Sequence, residues 1–350
     1  MKVGMIGCGG ISSAHIEIYR SLKDVEIVSL CDLNLDKAKT TASKYHIDRT
    51  YKDYWEMFEK EKLDLVDICT PVTTHARIVC DAAEVVPAIL VEKPMAYNVA
   101  QCDEIIAKTE KLGRKLCIGH SQLFSPLVQE ADRIVNSGNF DLFSFRTTLR
   151  ASFENLKAHG LAPAWNVAPE QRGIIWEVCC HHAYLQLHFL SGITEVYALG
   201  GKVKYPVYDD FSVLLRTSDD RFGLIEVSWI SKETDVTYEF RGKTGRRMKI
   251  NWEYDDLYEL DQNPPLTYGL VAKNMLVDQK RLLKKWAKFE YAFFHKRKLS
   301  PFYNLINSFI ESIQKDLPPP VTPYEGRAAV NLLECVEKSL EQKRAVLVSS

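Results

Sequence analysis

Val3-Gly4-Met5-Ile6-Gly7-Cys8-Gly9-Gly10-Ile11-Ser12-Ser13-Ala14-His15 is the stretch on which the fold turns. An apolar run with strand character breaks into glycines, and helix-forming composition follows. Glycine permits a tight turn and lets another group approach the backbone closely. A helix that opens at such a turn offers unpaired N–H groups and its positive dipole end, which suits phosphate. Gly7, Gly9, Gly10, Ile11 and Ser12 give the pattern G-x-G-x-x-S, with serine at its third small position. The second half of the signal is Asp32, at the end of the next apolar run and about 20 residues on, where a carboxylate accepts hydrogen bonds from ribose hydroxyls. Its competing use is a cap for the following helix. Strand, turn, helix, strand and acid in this order predict a bound dinucleotide. A carboxylate at 32 repels a 2′-phosphate and no arginine follows it, so the expected cofactor is NAD(H), not NADP(H).

Outward from this unit, Val3–Ile6, Val25–Cys31, Leu65–Cys69, Ile89–Val91 and Lys115–Gly119 read as buried strands. Ser13–Leu22, Leu35–Tyr45, Thr74–Ala83 and Val99–Leu112 between them read as helices. Such alternation builds a parallel sheet covered on both faces. After about residue 140 the texture changes. Phe143–Arg150, Val196–Val203, Ser212–Arg216, Leu224–Trp229, Val236–Phe240 and Met248–Trp252 are strand candidates joined by short turns, which predicts a mainly antiparallel sheet. Helical patterns at Phe124–Asn136 and Trp176–Phe189 offer it a cover, and a last helix is expected at Tyr324–Gln342 after Pro318-Pro319-Pro320.

Length and composition agree with this. At about 150 residues per domain, 350 residues predict two domains. Forty-five Lys and Arg against 46 Asp and Glu argue against a chain built to coat nucleic acid. No apolar stretch approaches the roughly 20 residues that span a bilayer, and the start lacks a cleavage-site pattern, so it reads as a first strand and not a signal peptide. Nine cysteines include no C-x-x-C pair, and Cys8, Cys31, Cys69 and Cys117 fall in apolar runs as small hydrophobes. A reduced, cytoplasmic compartment is expected.

Further motifs come in order: Cys31-Asp32, Cys69-Thr70-Pro71 with His75, Glu92-Lys93-Pro94 directly after a strand, Gly119-His120 with Phe124 and Pro126, and Glu177-Val178-Cys179-Cys180-His181. With the glycine turn, they make residues 1–190 resemble the Gfo/Idh/MocA oxidoreductases, glucose–fructose oxidoreductase and inositol dehydrogenase among them. The remainder is similar in layout only. The resemblance implies a Rossmann NAD-binding domain over 1–122 and a domain over 123–350 with a large, mainly antiparallel open sheet. It also has the helix at 324–342 packing back on the first domain. Lys93 looks like that family's active-site lysine, His181 like its catalytic histidine, and Glu177 stands in the place of its acidic partner. Thr70, Pro71, His75 and Glu92 look like residues around the cofactor cleft. Two departures are visible: Glu177 replaces aspartate, and Cys179 replaces a small glycine. The resemblance further implies a dimer or tetramer.

The chemistry is coherent without the resemblance. Oxidising an alcohol requires the hydroxyl proton to leave, and histidine titrates near neutrality. A lysine beside cationic NAD⁺ loses proton affinity and could share that task. His182 follows His181 directly, so either imidazole could face the cleft. Gln122, Arg150, Trp165, Asn166 and Arg172 are candidates for holding a sugar, supplying hydroxyl-binding groups and an aromatic platform. Cys179-Cys180-His181-His182 with Glu177 also invites a metal reading, but adjacent ligands point apart in helix or strand, and no metal is expected. Residues 273–298 carry nine basic side chains against two acidic ones, with Leu276, Leu283, Trp286, Phe289 and Phe293 near one face. This reads as a helix packed on its own sheet or a neighbouring subunit; contact with a membrane surface is the other reading. The expected activity is an NAD-dependent dehydrogenase acting on a secondary hydroxyl of a sugar, cyclitol or sugar derivative. A redox-neutral glycosidase or lyase and a non-catalytic NAD(H)-binding regulator are the alternatives.

Overall fold

The computed structural model describes residues 1–159, 162–253, 255–260 and 300–348. The basic segment 273–298 therefore lies outside the described residues. In the first half the elements are β1 (Lys2–Ile6), α1 (Gly10–Tyr19), β2 (Glu26–Cys31), α2 (Leu35–Tyr45), β3 (Arg49–Tyr51), α3 (Tyr54–Lys60), β4 (Leu65–Ile68), α4 (Val72–Val85), β5 (Ala88–Val91), α5 (Val99–Lys111) and β6 (Lys115–Ile118). Their strands pair in parallel in the order β3-β2-β1-β4-β5-β6. The direction of winding reverses between β1 and β4, and the crevice beyond the strand ends at such a reversal is where ligands bind in open α/β sheets. Continuous apolar runs such as Ala88-Ile89-Leu90-Val91, all buried, are what a strand covered on both faces requires.

The second half contains α6 (Pro126–Asn136), β7 (Leu142–Ser152), α7 (Phe153–Ala158), α8 (Gly173–Glu177), α9 (Cys179–Phe189), β8 (Ile193–Gly201), β9 (Asp210–Thr217), β10 (Phe222–Ser228), β11 (Ile230–Gly242), β12 (Arg247–Asn251) and β13 (Asp256–Leu260). After the basic segment come α10 (Pro301–Gln314), α11 (Pro323–Gln342) and β14 (Val346–Leu347). These strands form a sheet ordered β13-β12-β11-β7-β10-β9-β8-β14. It is antiparallel except where β7 and β10 run side by side in parallel. One face carries Phe145, Ile225, Tyr238 and Phe240 beneath the buried helix α9. The opposite face alternates to charged groups, with Arg146 and Arg150 on β7 both bonded to Glu226 on β10.

Helix α11 joins the two sheets. It begins with a capping box in which Thr322 and Glu325 exchange side-chain and backbone hydrogen bonds. Towards α5, Arg327 pairs with Asp103, the Tyr324 hydroxyl donates to Glu110, and Glu334 accepts the Val99 N–H. Towards the second sheet, Ser339 accepts the Ala198 N–H and Glu337 pairs with Arg172. Gly326 lets it lie close to Ile118 and Met95, where a Cβ would stand 2.8 Å from both side chains.

Candidate active site

The glycine turn takes the form its sequence requires. Gly7 has φ +96°, and a Cβ there would lie 2.5 Å from the carbonyl oxygen of Cys69. The turn is thus wedged against the end of β4, which only glycine permits. Gly9 and Gly10 have open space where a Cβ would be, so the start of α1 is bare backbone. Ser12 is buried and donates its hydroxyl to Gly9 O at 2.7 Å, closing the turn, while Ile11 is half-buried beside it. Asp32 accepts the Cys8 N–H at 2.8 Å and the Asn34 N–H at 2.9 Å, fixing its carboxylate at the rim. The exposed Leu33 adjoins it, an apolar side chain in the rim to which the sequence reading gave no role. Thr70 and Pro71 stand across the crevice, ahead of α4, with Thr70 accepting the Thr74 hydroxyl at 2.8 Å. A bare helix N-terminus, a strain-free glycine passage and a rim carboxylate fit a dinucleotide.

Lys93 follows β5 at the same end of the sheet. Its ammonium donates to Glu177 O at 2.8 Å and Glu177 Oε1 at 3.2 Å, bringing together residues 84 apart in sequence. Glu177 ends α8 and His181 lies in the first turn of α9, half-buried. His181 Nδ1 lies 2.8 Å from the Tyr184 hydroxyl, which also accepts the Gln122 N–H at 3.1 Å. Tyr184 is stacked on His120, ring centroids 4.2 Å apart. The sequence reading missed Tyr184; its one signal was the i, i+3 spacing from His181, which places both on one helix face.

The two basic groups are driven apart. Burial opposes the charge on Lys93, but Glu177, Cys180 and Glu92 outweigh it and hold the amine above the ordinary lysine range. Burial first, and the Lys93 charge second, push His181 well below its ordinary value. At neutral pH the site thus presents an ammonium beside a neutral imidazole. Groups separated in this way are suited to different acid–base roles.

Several expectations need correcting. His182 is 1 % exposed and packs edge-on against Tyr238 of the sheet, so it faces the core and not the crevice. His75 is equally buried, with Nδ1 2.9 Å from Pro94 O and Nε2 2.8 Å from Thr70 O; it ties two loops together beneath the cleft. Glu92 lies under the site, accepting the Lys93 N–H at 3.2 Å. Arg172 pairs with Glu337, donates to Tyr97 O and lies over the Trp176 ring, so its charge is spent on anchoring α11. Arg150 points to the open face of the second sheet, where it lines a shallow depression with Asp210 and Glu226. Gln122 and Asn166 keep buried side-chain oxygens without a protein partner among the described residues. Trp165 lies in the short 3₁₀ turn Ala164–Val167 beside Asn166. Cys179 and Cys180 are buried, and burial pushes the Cys180 thiol up to about 12.

Comparison with known proteins gives one consistent picture. Residues 1–120 match the family model described as the GFO_IDH_MocA oxidoreductase family, NAD-binding Rossmann fold, and residues 128–247 match the GFO/IDH/MocA C-terminal domain. The chain is 24% identical to a myo-inositol 2-dehydrogenase of Thermotoga maritima, over 99% of this chain and 98% of that protein. It is 25% identical to a D-apiose dehydrogenase of Paraburkholderia graminis, over 66% of this chain and 61% of that protein. A solved oxidoreductase from Agrobacterium radiobacter in complex with NAD+, L-tartaric acid and magnesium superposes with a TM-score of 0.80 at 19% identity, covering 99% and 98% of the two chains. The chain belongs to the Gfo/Idh/MocA family, dehydrogenases whose amino-terminal domain is an NAD-binding Rossmann fold.

Proposed function

We propose that this protein oxidises a secondary hydroxyl of an uncharged sugar or cyclitol, with Lys93, Glu177 and His181 as its catalytic set. The observation that carries this reading is the ammonium of Lys93, held by Glu177, within charge range of the neutral imidazole of His181. The start of α1 at Gly9, Gly10 and Ile11 would receive the pyrophosphate, and Asp32 the adenosine ribose, with Leu33 against the adenine. Thr70 and Pro71 would line the passage to Lys93. NAD, when bound there, supplies a nicotinamide ring able to take up a hydride.

This chain's own groups handle the proton. Lys93 has given two of its N–H bonds to Glu177, and the third is available for the substrate oxygen. A cation there stabilises the negative charge that develops as the hydroxyl proton departs. With its own proton on Nδ1, donated to Tyr184 Oη, His181 has Nε2 free to accept the hydroxyl proton. The Tyr184 oxygen has lone pairs enough for both that N–H and the Gln122 N–H. Glu177 fixes the ammonium and has a second carboxylate oxygen left for a neighbouring hydroxyl. A carboxylate in the crevice also disfavours anionic substrates, which supports an uncharged polyol.

The relatives' names, myo-inositol 2-dehydrogenase and D-apiose dehydrogenase, support the same class of substrate. A partition near residue 122, association of copies through the open sheet face, and a reducing cytoplasmic compartment belong to this reading; nine free cysteines support the last. The test is NADH formation at 340 nm, a standard readout of the nicotinamide couple, over a panel of inositols, aldopentoses and aldohexoses. Turnover with at least one, lost in Lys93→Ala, is expected. A folded, NAD-binding protein inert to the panel, or a fully active Lys93→Ala variant, overturns the proposal.

A further inference from the structure

Behind Lys93 lies a buried cluster of ionisable groups that the proposed proton transfer does not use. His15 of α1 is 1 % exposed. Its Nδ1 is 2.8 Å from Asp67 Oδ2 of β4, and its Nε2 is 3.4 Å from Glu92 Oε1. Cys69 approaches the same Nδ1 at 3.6 Å, and the Phe302 ring of α10 covers His15 at 5.5 Å between centroids. Tyr19, on the same helix, has its hydroxyl within range of the Asp67 charge, and His75 faces Glu92 from α4. A neutral imidazole has a single N–H and would turn a lone pair towards one of the two carboxylates. Only the imidazolium turns an N–H and a positive charge towards both carboxylates; its contact with Asp67 is a hydrogen bond and that with Glu92 an ion pair without one. A charge this deep is tolerated only when paired. The 2.8 Å separation is that of a direct hydrogen bond.

We propose that His15 is a positioning residue for the active-site lysine: its imidazolium clamps Glu92 against Asp67, and the clamped Glu92 holds Lys93 by its N–H and by its charge. This rests on the reading of Lys93 as the working amine. The clamp spans the elements that matter, since α1 opens at the phosphate-type turn, β4 leads into Thr70, and β5 leads into Lys93. Gly119 belongs to it as well: a Cβ there would stand 2.8 Å from Glu92 Oε1, so the carboxylate keeps its place only beside glycine. The raised proton affinity of His15, which persists against the effect of burial because of Asp67 and Cys69, agrees with the geometry.

Two measurements test this, neither needing a substrate or bound cofactor. Nitrogen-15 spectra of histidine-labelled protein should show His15 protonated on both nitrogens at about pH 8, where an ordinary histidine is neutral. The assignment comes from the signal lost in His15→Gln, or by elimination over the other histidines if that variant does not fold. A His15 ring with one N–H at that pH overturns the proposal. The pH dependence of amine labelling at Lys93, read by peptide mass spectrometry, should move down by roughly one unit in Glu92→Gln, because a neighbouring negative charge has been removed. It should stay in place in Glu92→Asp, which keeps the charge. An unmoved midpoint in Glu92→Gln overturns the positioning role. Failure of the dehydrogenase assay leaves both readouts unaffected, so the two proposals fail separately.

Discussion

Gly7, His181 and Lys93 show how much can rest on single residues. Gly7→Ala forces φ +96° on a residue with a side chain and drives a Cβ into the Cys69 carbonyl at 2.5 Å. Backbone strain alone costs about 1–3 kcal/mol, and the expected result is a lower melting temperature with loss of NADH fluorescence transfer on titration. His181 is held neutral well below its ordinary value by burial and the Lys93 charge. The acid limb of kcat/KM for oxidation should therefore fall below pH 6.5 and not at it, the free histidine value being about 6.5. In Lys93→Met one cause of that depression is gone, and the limb should move up towards neutrality in whatever turnover remains. Tyr184→Phe should lower kcat by about 10–100-fold with little change in KM, since general acid–base catalysis contributes about 10²–10⁴ and only its alignment is lost.

At this scale the sequence was informative where chemistry and backbone geometry coincide. Glycines at 7, 9 and 10 and an acid at 32 have few other reasons to occur together after a strand, and Lys93 at a strand end had a crevice waiting for it. Arg172 and Arg150 were misjudged for one reason: an arginine's role depends on which carboxylate reaches it. Glu337 and Glu226 come from elements 165 and 76 residues away. The choice between His181 and His182 depended on helix phase about α9, whose apolar residues surround it and leave no polar face to orient by.

Among elements, α11 shows most clearly how parts become a unit. Its anchor on the second domain is Glu337, which takes hydrogen bonds from Arg172 and from Trp176 Nε1 at 2.9 Å. Removing one partner of a poorly hydrated ion pair leaves the other uncompensated, at a cost of roughly 3 kcal/mol. Arg172→Ala should therefore lower the denaturation midpoint by that order, whereas Arg172→Ala combined with Glu337→Gln should recover part of it. Elements missed in the sequence were mostly too short for periodicity to register: β3 has three residues and β14 two. Helix α10 is different. Leu305, Ile306, Phe309 and Ile310 bury one face at helical spacing, and Ser300-Pro301 marks its start, so its pattern was legible in the sequence.

For the whole molecule, the buried histidines set an acid limit. His120 and His182 are desolvated and held neutral down to about 3. Below the ordinary value of about 6.5 the unfolded chain takes up these protons and the folded one does not, so stability falls as pH drops from 6.5 towards 3. The slope is roughly 1.4 kcal/mol per pH unit for each ring. His15, shifted the other way, gives its full contribution throughout that range and does not offset the loss. Urea titrations at pH 7 and pH 5 should show the difference, and His182→Phe should flatten it.

The arrangement of α11 has a consequence for motion. A beam pinned to α5 by Arg327 and Tyr324, and to the far side by Ser339 and Glu337, prevents the halves from swinging apart as a jaw does. Widening the gap in which Lys93 and Glu177 meet would therefore mean breaking the bonds at one end of this helix.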